Sequence, residues 1–464
     1  MKGNRFEIDM CSGPLMPKLI SFFLPLMLSG ILQLLFNAVD LIVVGRFAGS
    51  DCLAAVGATT ALINIFINFF IGLSLGSNVC AARFYASGQH DKMSNVVHTS
   101  ILTALISGVI ILLLGQIFAM PALRLMDTPD EIISMSVQYM RIYFLGTPFF
   151  MLYNFGAAIL RAVGDTKRPM IFLVIAGIIN AGLNVFLVVV FHLDVAGVAI
   201  ATVFSQTISC VLVIIVLLKS PEAYRLYFRK LRIHREILGS IFKIGIPAGL
   251  QSTVINISNA MLQSSVNSFG QYAMAGYTAA NNIFGFLYTS ANSITQACMS
   301  FTSQNLGAGN YKRMKKVLVD CLILETAVCL LLGSAAYFFG DKILGIYTSS
   351  PVVIDYGVRV LSLTTLSYFL CGYMDCIPGA LRGMGRSTVP MILSIIGTVG
   401  MRIVWIYGLF PTHRDITFLF ISYPASWIAT IIMQSVCYLL IIRSYRVYCE
   451  AENNLSKSAF GRQG

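Results

Sequence analysis

The chain has 464 residues, of which 57% are hydrophobic and only 11% are charged, and its mean hydropathy is +0.78. Soluble domains carry about 25% charged residues, so this composition excludes a soluble protein and indicates an integral membrane protein. The net charge of +12 would suit nucleic-acid binding, but most Lys and Arg fall at both termini and on alternate predicted loops. This positive-inside pattern predicts a multi-pass protein with both termini in the cytoplasm and no nucleic-acid partner.

Hydropathy and helix-breaking residues predict twelve membrane spans, each long enough at about 20 residues to cross a bilayer. The first six lie near 17–44, 53–80, 94–118, 132–160, 168–192 and 195–218, and the last six near 239–267, 272–302, 316–339, 352–381, 388–410 and 416–443. We therefore expect an N-lobe at 1–220, a basic cytoplasmic connector at 221–238, and a C-lobe with a short tail at 239–464. The first apolar segment is too long for a signal peptide, so we expect it to remain as a membrane helix.

The two sets of six spans repeat one another. The sequence RAVG at 161–164 recurs as RGMG at 382–385, and Gly88 recurs as Gly309. Both offsets are 221 residues (382 − 161 and 309 − 88). Because each half has an even number of spans, both copies share one orientation, and their symmetry axis lies along the membrane normal. The prediction is an all-α integral membrane protein with twelve transmembrane helices in two parallel-repeat lobes of six, and with a transport path between the lobes.

Asp40 is a single acid inside the long apolar segment that runs from Pro25 to Gly49. A charged residue in the middle of a membrane helix costs about 2.5–3.5 kcal/mol on insertion scales, so such a residue indicates a functional site. The alternative is that Asp40 lies near the helix end and faces water or lipid headgroups. A carboxylate in this setting can exchange a proton for a metal ion, which is the chemistry of an ion-coupled transporter.

A second polar group lies in the fifth and sixth spans. Asn180 and Asn184 have the i, i+4 spacing that places both amides on one helix face, and Thr202 precedes Gln206 by one turn in the next span. Oxygen ligands with one carboxylate suit a hard cation such as sodium. The alternative is ordinary hydrogen bonding between membrane helices.

Two acids lie deep in the second half, Glu325 and Asp375. Each could bind a cationic substrate or carry a proton; alternatively, each could pair with a base such as Arg402 or face a wet cavity. The eleven cysteines show neither disulfide spacing nor a paired zinc motif, and we interpret them as small buried apolar residues. The sequence has no HExxH, CxxC or P-loop motif, so we expect no enzymatic activity, no cofactor and an ion gradient as the driving force.

Several motifs now show a family resemblance. The sequences VDLIVVGRFAG (39–49), GSNVCAARFYASGQ (76–89), LRAVGDTKRPMI (160–171), VAGVAIATVFSQ (195–206) and PGALRGMGRSTVPMI (378–392) resemble those of the MATE (multidrug and toxic compound extrusion) transporters. The DinF-like or MepA-like bacterial branch is the nearer likeness. The resemblance implies the MATE fold and export of amphipathic organic cations or drugs from the bacterial cytoplasmic membrane, in exchange for sodium ions or protons.

The resemblance also assigns residues. Asp40 matches the coupling acid of the family's first helix, and Asn180, Asn184 and Thr202 match the positions that join it in a cation site, with sodium as the candidate metal ion. Family members often have an aspartate at the position of Asn184, so this chain carries one negative charge fewer. The seventh span also lacks the acid of the NorM-like branch, which argues against a sodium site of that type in the C-lobe.

The substrate-binding candidates are polar and aromatic residues of both halves: Asn37, Tyr153, Asn154, Gln206, Tyr277, Asn281, Tyr288, Glu325 and Asp375. We expect a monomer in the lipid bilayer whose partners are organic cations and a proton or sodium ion. The alternative function is a lipid or lipid-linked oligosaccharide flippase of the same superfamily, for which Arg141, Arg359 and Arg402 would supply basic groups.

Overall fold

The computed structural model describes residues 6–460, and within that range the chain is almost entirely helical, with no β-strand. It forms two compact units, Met1–Thr253 and Val254–Gly464. Apolar side chains form the core of each unit.

The first unit contains seven complete helices. In chain order they are α1 (Leu15–Val43), α2 (Ser50–Ala86), α3 (His90–Leu125), α4 (Asp130–Leu145), α5 (Thr147–Ala162), α6 (Lys167–Val185) and α7 (Asp194–Lys219). Two of them continue as π-helix, α1 through Val44–Ala48 and α6 through Phe186–Val190.

The remaining helices follow two 3₁₀ turns, Glu222–Tyr224 and Phe228–Lys230. They are α8 (Arg235–Asn267), α9 (Gln271–Gly307), α10 (Tyr311–Phe338), α11 (Gly340–Gly345), α12 (Pro351–Thr364), α13 (Tyr368–Gly383), α14 (Thr388–Ser394), α15 (Met401–Val404) and α16 (Ile416–Phe460). The π-helices Ile395–Gly400 and Trp405–Leu409 join α14 and α15 into one helical stretch.

Between residues 6 and 460, nine helices or helical stretches are long and apolar enough to cross a membrane, and two bent pairs bring the number to eleven. The prediction of a multi-pass membrane protein is confirmed. The remaining predicted span, 272–302, coincides with α9, which has 37 residues and no charged side chain. Because α9 carries many Asn, Gln, Ser and Thr residues, it is less apolar than the other spans.

Two predicted spans differ from the structure because they are bent. The segment 132–160 consists of α4 and α5, which meet at 45°. The segment 352–381 consists of α12 and α13, which meet at 51°. The first break falls at Gly146, two residues before Pro148, whose ring lacks an N–H donor for a continuous helix.

The repeat is confirmed in the backbone as well as in the sequence. Three glycines with positive φ recur after the same shift: Gly49 (95°) and Gly270 (94°), Gly88 (68°) and Gly309 (72°), Gly164 (97°) and Gly385 (81°). Glycine occupies such positions because it has no Cβ to clash in the left-handed region. Equivalent turns therefore connect equivalent helices in the two copies.

The predicted connector 221–238 packs on α3. The backbone N–H of Tyr227 donates to His98 Nε2 over 3.1 Å, and that of His234 donates to Thr99 Oγ1 over 3.2 Å. The predicted lobe boundaries, at 220 and 239, stay a prediction.

Candidate functional site

The first unit contains a cavity of about 350 Å³ between its helices. Its lining is rich in uncharged polar and aromatic groups; the polar and tyrosine residues are Gln33, Asn37, Asp40, Asn64, Asn68, Tyr139, Tyr143, Tyr153, Asn154, Asn180, Thr202, Ser205, Gln206 and Ser209. Seven of the predicted site residues are among them: Asn37, Asp40, Tyr153, Asn154, Asn180, Thr202 and Gln206. The lining includes one carboxylate and neither Lys nor Arg.

Asp40 lies in the last turn of α1, in the wall of this cavity. It is half-buried, and the helix continues beyond it as π-helix. The helical stretch therefore extends past Asp40 as far as Ala48. Asp40 lines a polar cavity to which other helices of the unit also contribute.

Asn184 on α6 joins Asp40 to Asn180. Its Nδ2 donates to Asp40 Oδ1 and, over 3.2 Å, to Asn180 Oδ1. The amide nitrogen has two hydrogens, so it can make both bonds at once. Asn184 is fully buried and Asn180 is 6% exposed. The structure thus brings three of the four predicted cation-site residues into one hydrogen-bonded chain.

The carbonyl oxygen of the same amide is a buried acceptor with no donor. Asn184 Oδ1 has no hydrogen-bond partner among residues 6–460. A buried polar atom without a partner costs about 1–3 kcal/mol. Asp40, Asn180 and Asn184 carry oxygen atoms of the kind that bind hard cations, but the amide of Asn184 presents its nitrogen to the other two side chains.

Close packing of α1 on α6 positions these groups. Gly177 on α6 lies against the ring of Phe36 on α1, so near that a Cβ on Gly177 would come within 1.8 Å of a ring carbon. Both residues line the cavity. The missing side chain of Gly177 therefore lets α1 approach α6 closely enough for Asp40 to meet Asn184.

Both helices become π-helical directly after the site residues. The π-helix Val44–Ala48 follows Asp40 by one turn, and Phe186–Val190 begins two residues after Asn184. Single π-helical turns are frequent at functional sites.

Thr202 lies on α7 and lines the same cavity. Its hydroxyl donates to Val198 O over 3.0 Å, which leaves the lone pairs of the oxygen available. No hydrogen bond described for residues 6–460 joins it to Asp40, Asn180 or Asn184.

Two other substrate-binding candidates in the first unit use part of their hydrogen-bonding capacity on nearby backbone carbonyls. The hydroxyl of Tyr153 donates to Pro169 O over 3.1 Å, and Asn154 Nδ2 donates to Phe150 O over 2.9 Å. The ring face of Tyr153 and the carbonyl oxygen of Asn154 are the groups that remain for a ligand.

Sequence analysis missed Gln33, Asn64, Asn68, Tyr139 and Tyr143, which also line the cavity. A signal for two of them was present, because Asn64 and Asn68 on α2 have the same i, i+4 spacing as Asn180 and Asn184. The tyrosines carry no such signal, since aromatic residues are common throughout membrane helices.

The second-unit candidates do not form a comparable site. Glu325 on α10 is fully buried, and its Oε2 accepts a hydrogen bond from Cys329 Sγ at 3.7 Å. Asp375 on α13 is half-buried and interacts electrostatically with Glu325 and Tyr288. Tyr277 is buried and shares a hydrogen bond with another tyrosine hydroxyl, whereas Asn281 on α9 is exposed.

Arg402 makes no ion pair with either acid among the described residues, whereas another base, Arg382, interacts electrostatically with Asp375. Arg402 Nη1 donates to Asn259 Oδ1 over 2.7 Å and to Ser258 Oγ over 3.4 Å. The guanidinium of Arg402 lies 4.5 Å from the ring centre of Tyr423. The amide oxygen and the ring face supply the negative partial charge that faces this buried cation.

One hydrolase motif is present in the sequence but lacks the structural context that the motif requires. Residues 72–76, GLSLG, match GxSxG, which in hydrolases places a serine on a sharp turn between strand and helix. Here the motif lies in the middle of α2, and the hydroxyl of Ser74 donates to Ile71 O over 2.8 Å. The residues do not form a nucleophilic site.

Comparisons with known proteins agree with the motifs. The sequence profile of the MatE family matches twice, at residues 25–186 and 247–407. The chain is 30% identical over 422 residues to the probable multidrug resistance protein YoeA of Bacillus subtilis, covering 89% of this chain and 91% of that protein. It is 22% identical over 383 residues to the multidrug export protein MepA of Staphylococcus aureus, covering 82% and 85%.

Solved structures share the fold. A MATE crystal structure in complex with MaL6 has a TM-score of 0.89 at 21% identity, with 96% of this chain and 100% of that chain covered. A MOP superfamily transporter from Pyrococcus furiosus has a TM-score of 0.86 at 22% identity, with 97% and 99% covered. These likenesses confirm the predicted duplicated fold.

Proposed function

Because the chain belongs to the MatE family, we propose that it is a multidrug efflux antiporter driven by an inward proton or sodium gradient. The observation that carries the proposal is the position of Asp40: a single carboxylate in the wall of a polar membrane cavity, bound to a buried amide. The names of YoeA and MepA, both described as multidrug proteins, support the substrate class.

The coupling step uses the charge of Asp40. In the outward-facing state, Asp40 takes up a proton or sodium ion, which removes the negative charge that holds a cationic drug. The hydrogen bond from Asn184 weakens when the carboxylate is neutralised, so α1 is free to rearrange, and the drug leaves. In the inward-facing state the ion dissociates, the carboxylate reforms, and a new cation binds.

Sodium and proton coupling differ in what Asn184 does. For sodium, the ligands would be Asp40, Asn180, Asn184 and Thr202, with the amide of Asn184 turning its carbonyl oxygen toward the ion. For a proton, Asp40 alone changes its charge and the amides serve only as hydrogen-bond partners. The unpartnered Asn184 Oδ1 supports the sodium arrangement; the single negative charge supports the proton.

The cavity suits flat organic cations. Its volume of about 350 Å³ is at the lower end of the roughly 300–1,000 Å³ typical of ligand sites. The rings of Phe36, Tyr139, Tyr143, Phe150 and Tyr153 line it, and aromatic faces attract cations. One acid and several amides add charge and hydrogen bonds without fixing one substrate shape.

The remaining assignments follow from this function. We propose a location in the bacterial cytoplasmic membrane, with both termini in the cytoplasm, activity as a monomer, and no enzymatic reaction. The lipid or oligosaccharide-lipid flippase is less well supported, because the described cavity has an acid and no base in its lining. Arg359, one of its candidate basic groups, pairs with Asp355 over 2.9 Å.

The test is ethidium efflux from everted vesicles, with sodium and proton gradients imposed separately, for wild type and Asp40→Asn. Gradient-driven efflux that disappears in the variant supports the proposal, and the gradient that drives it identifies the ion. Wild-type vesicles that move ethidium under neither gradient would contradict it. Cells that lack the protein distinguish the antiporter from the flippase. Sensitivity of these cells to ethidium-like cations fits efflux, whereas loss of envelope glycan fits a flippase.

A further inference from the structure

Three cysteines that are far apart in the sequence meet inside the second unit. The sulfur atoms of Cys298 on α9, Cys321 on α10 and Cys376 on α13 lie within 4.8 Å of one another, and all three side chains are fully buried. We refer to these residues as the thiol cluster. The three helices pack against one another, so the cluster links three separate segments of the fold.

The fold of the repeat does not require sulfur at these positions. The residues at the equivalent positions of the first repeat are Ser77, Ser100 and Phe155. All three are buried, so they fill the same interior positions without a thiol. Packing alone therefore explains a small buried residue at two of the positions, and leaves the convergence of three thiols without a cause.

A second polar group points to a ligand at the cluster. Tyr438 on α16 interacts electrostatically with Cys298 and Cys376. It is 5% exposed, and its hydroxyl has no hydrogen-bond partner among the described residues. A cysteine sulfur that has exchanged its proton for a central atom is an acceptor only, and a phenol hydroxyl can donate to its lone pair.

Charge decides which central atom fits. Outside the cluster, the ionisable residue that interacts with Cys321 is the acid Glu325, not a base. Three thiolates around Cu(I) carry a charge of −2 and around Zn(II) a charge of −1, and a buried membrane interior without a neighbouring base opposes both. Three thiolates around a trivalent arsenic or antimony atom are neutral.

We propose that the thiol cluster is a binding site for trivalent thiophilic metalloids, with arsenite as the representative ligand. Sulfur atoms that share one central atom through bonds of about 2.3 Å, as in zinc–thiolate sites, lie about 4 Å apart. The three thiols therefore need only small movements to converge. Arsenous acid is uncharged at neutral pH, so it can enter a buried apolar site without the cost of moving an ion.

The reaction is a ligand exchange without redox change. Arsenous acid, As(OH)₃, loses its three hydroxyl groups, and three As–S bonds replace the three As–O bonds. Each thiol proton combines with a departing hydroxyl, so three water molecules leave and arsenic keeps its oxidation state of +3. The product joins α9, α10 and α13 covalently.

The experiment uses the purified full-length protein in detergent, titrated with sodium arsenite. Bound arsenic per chain is measured by elemental mass spectrometry after removal of free arsenite, and its sulfur neighbours are counted by X-ray absorption at the arsenic edge. We expect one arsenic per chain with three sulfur neighbours. Fewer than three sulfur neighbours, or no retained arsenic, would overturn the proposal whatever the variants do.

Matched variants locate the site. Cys298→Ser, Cys321→Ser and Cys376→Ser should each lower arsenite affinity by at least about tenfold, whereas Cys80→Ser, which changes a buried cysteine of the first unit, should leave it unchanged. Size-exclusion profiles show whether each variant is folded. Equal affinity in all four variants places the arsenic elsewhere and refutes the proposal. Stoichiometric Zn(II) or Cu(I) that blocks arsenite would refute the metalloid assignment.

Discussion

The two repeats use the same helix junction for opposite charges. In the first repeat, α1 and α6 meet through Asp40, which accepts a hydrogen bond from an amide. In the second, α8 and α15 meet through Arg402, which donates to the amide oxygen of Asn259. The equivalent of Asp40 in the second repeat is the apolar Met261. Duplication thus preserved the helices and their turns, while the chemistry at the junction diverged.

Packing at the junction differs in the same way. Gly177 of the first repeat corresponds to Thr398 of the second. Where Gly177 admits the ring of Phe36, the hydroxyl of Thr398 shares a hydrogen bond with Thr430 over 3.1 Å. The two equivalent residues thus make different contacts: Gly177 packs against Phe36 of α1, whereas Thr398 contacts Thr430 of α16. Under the proposed function, we expect ion coupling in the first lobe.

The largest effect should come from Asp40→Asn. This change keeps the size of the side chain and removes the charge that both coupling ions require, so gradient-driven ethidium efflux should fall to the level of empty vesicles. Asp320→Asn, which alters a half-buried acid on α10, is the matched control and should retain efflux. If Asp40→Asn retains efflux and Asp320→Asn loses it, the proposed asymmetry is reversed.

Gly177→Ala should disrupt the first junction without touching a charge. The added methyl group overlaps the ring of Phe36, and overpacking of this kind costs about 1–3 kcal/mol. We expect a lower thermal unfolding temperature and a large loss of efflux as α1 moves away from α6. The double variant Gly177→Ala/Phe36→Ala should recover part of both.

Gly182→Ala is the control on the same helix. A Cβ at Gly182 has no atom within 4 Å, so this variant should match the wild type or exceed it slightly in stability. Equal losses in Gly177→Ala and Gly182→Ala would show that helix flexibility, and not the contact with Phe36, determines the effect.

Asn184→Asp sharpens the comparison by adding the charge that family resemblance associates with this position. Two carboxylates bind a sodium ion more strongly than one, so the sodium concentration for half-maximal efflux should fall by about tenfold. A sodium titration of efflux at constant pH measures the change. A variant whose efflux stays independent of sodium would indicate that Asp40 carries a proton and that Asn184 is not an ion ligand.

Much of the architecture was predictable because its signals are local or periodic. Hydropathy located the spans, and a constant shift between glycine and proline motifs revealed the duplication. The bends between α4 and α5 and between α12 and α13 were not predicted. Glycine and proline are tolerated in membrane helices, so their presence does not by itself distinguish a kink from a straight span.

The site shows the same division between local and long-range information. Asp40, Asn180 and Asn184 could be identified because an acid in an apolar segment and an i, i+4 pair of amides are visible in sequence. The contact of Gly177 with Phe36 and the meeting of three cysteines depend on which helices are neighbours. No spacing along a single helix carries that information, and the cysteines therefore gave no signal of a metal site.

The smallest effect should come from Arg402→Met, which tests the second junction. Methionine keeps much of the length of the side chain and removes a buried cation that has no carboxylate partner among the described residues. The lost interactions are the hydrogen bond to Asn259 and the contact with the ring of Tyr423. The removed desolvation penalty offsets this loss, as replacement of buried ionic groups by apolar ones is often neutral or stabilising. We expect the free energy of unfolding to stay within about 1 kcal/mol of wild type and the dependence of efflux on the coupling ion to be unchanged.

Arg402→Ala, which also leaves a cavity, should be less stable than Arg402→Met, but its efflux should depend on the coupling ion to the same extent. Loss of ion dependence in Arg402→Met would mean that the base of the second repeat takes part in coupling, and that the two junctions act as a pair of opposite charges instead of one active and one structural site.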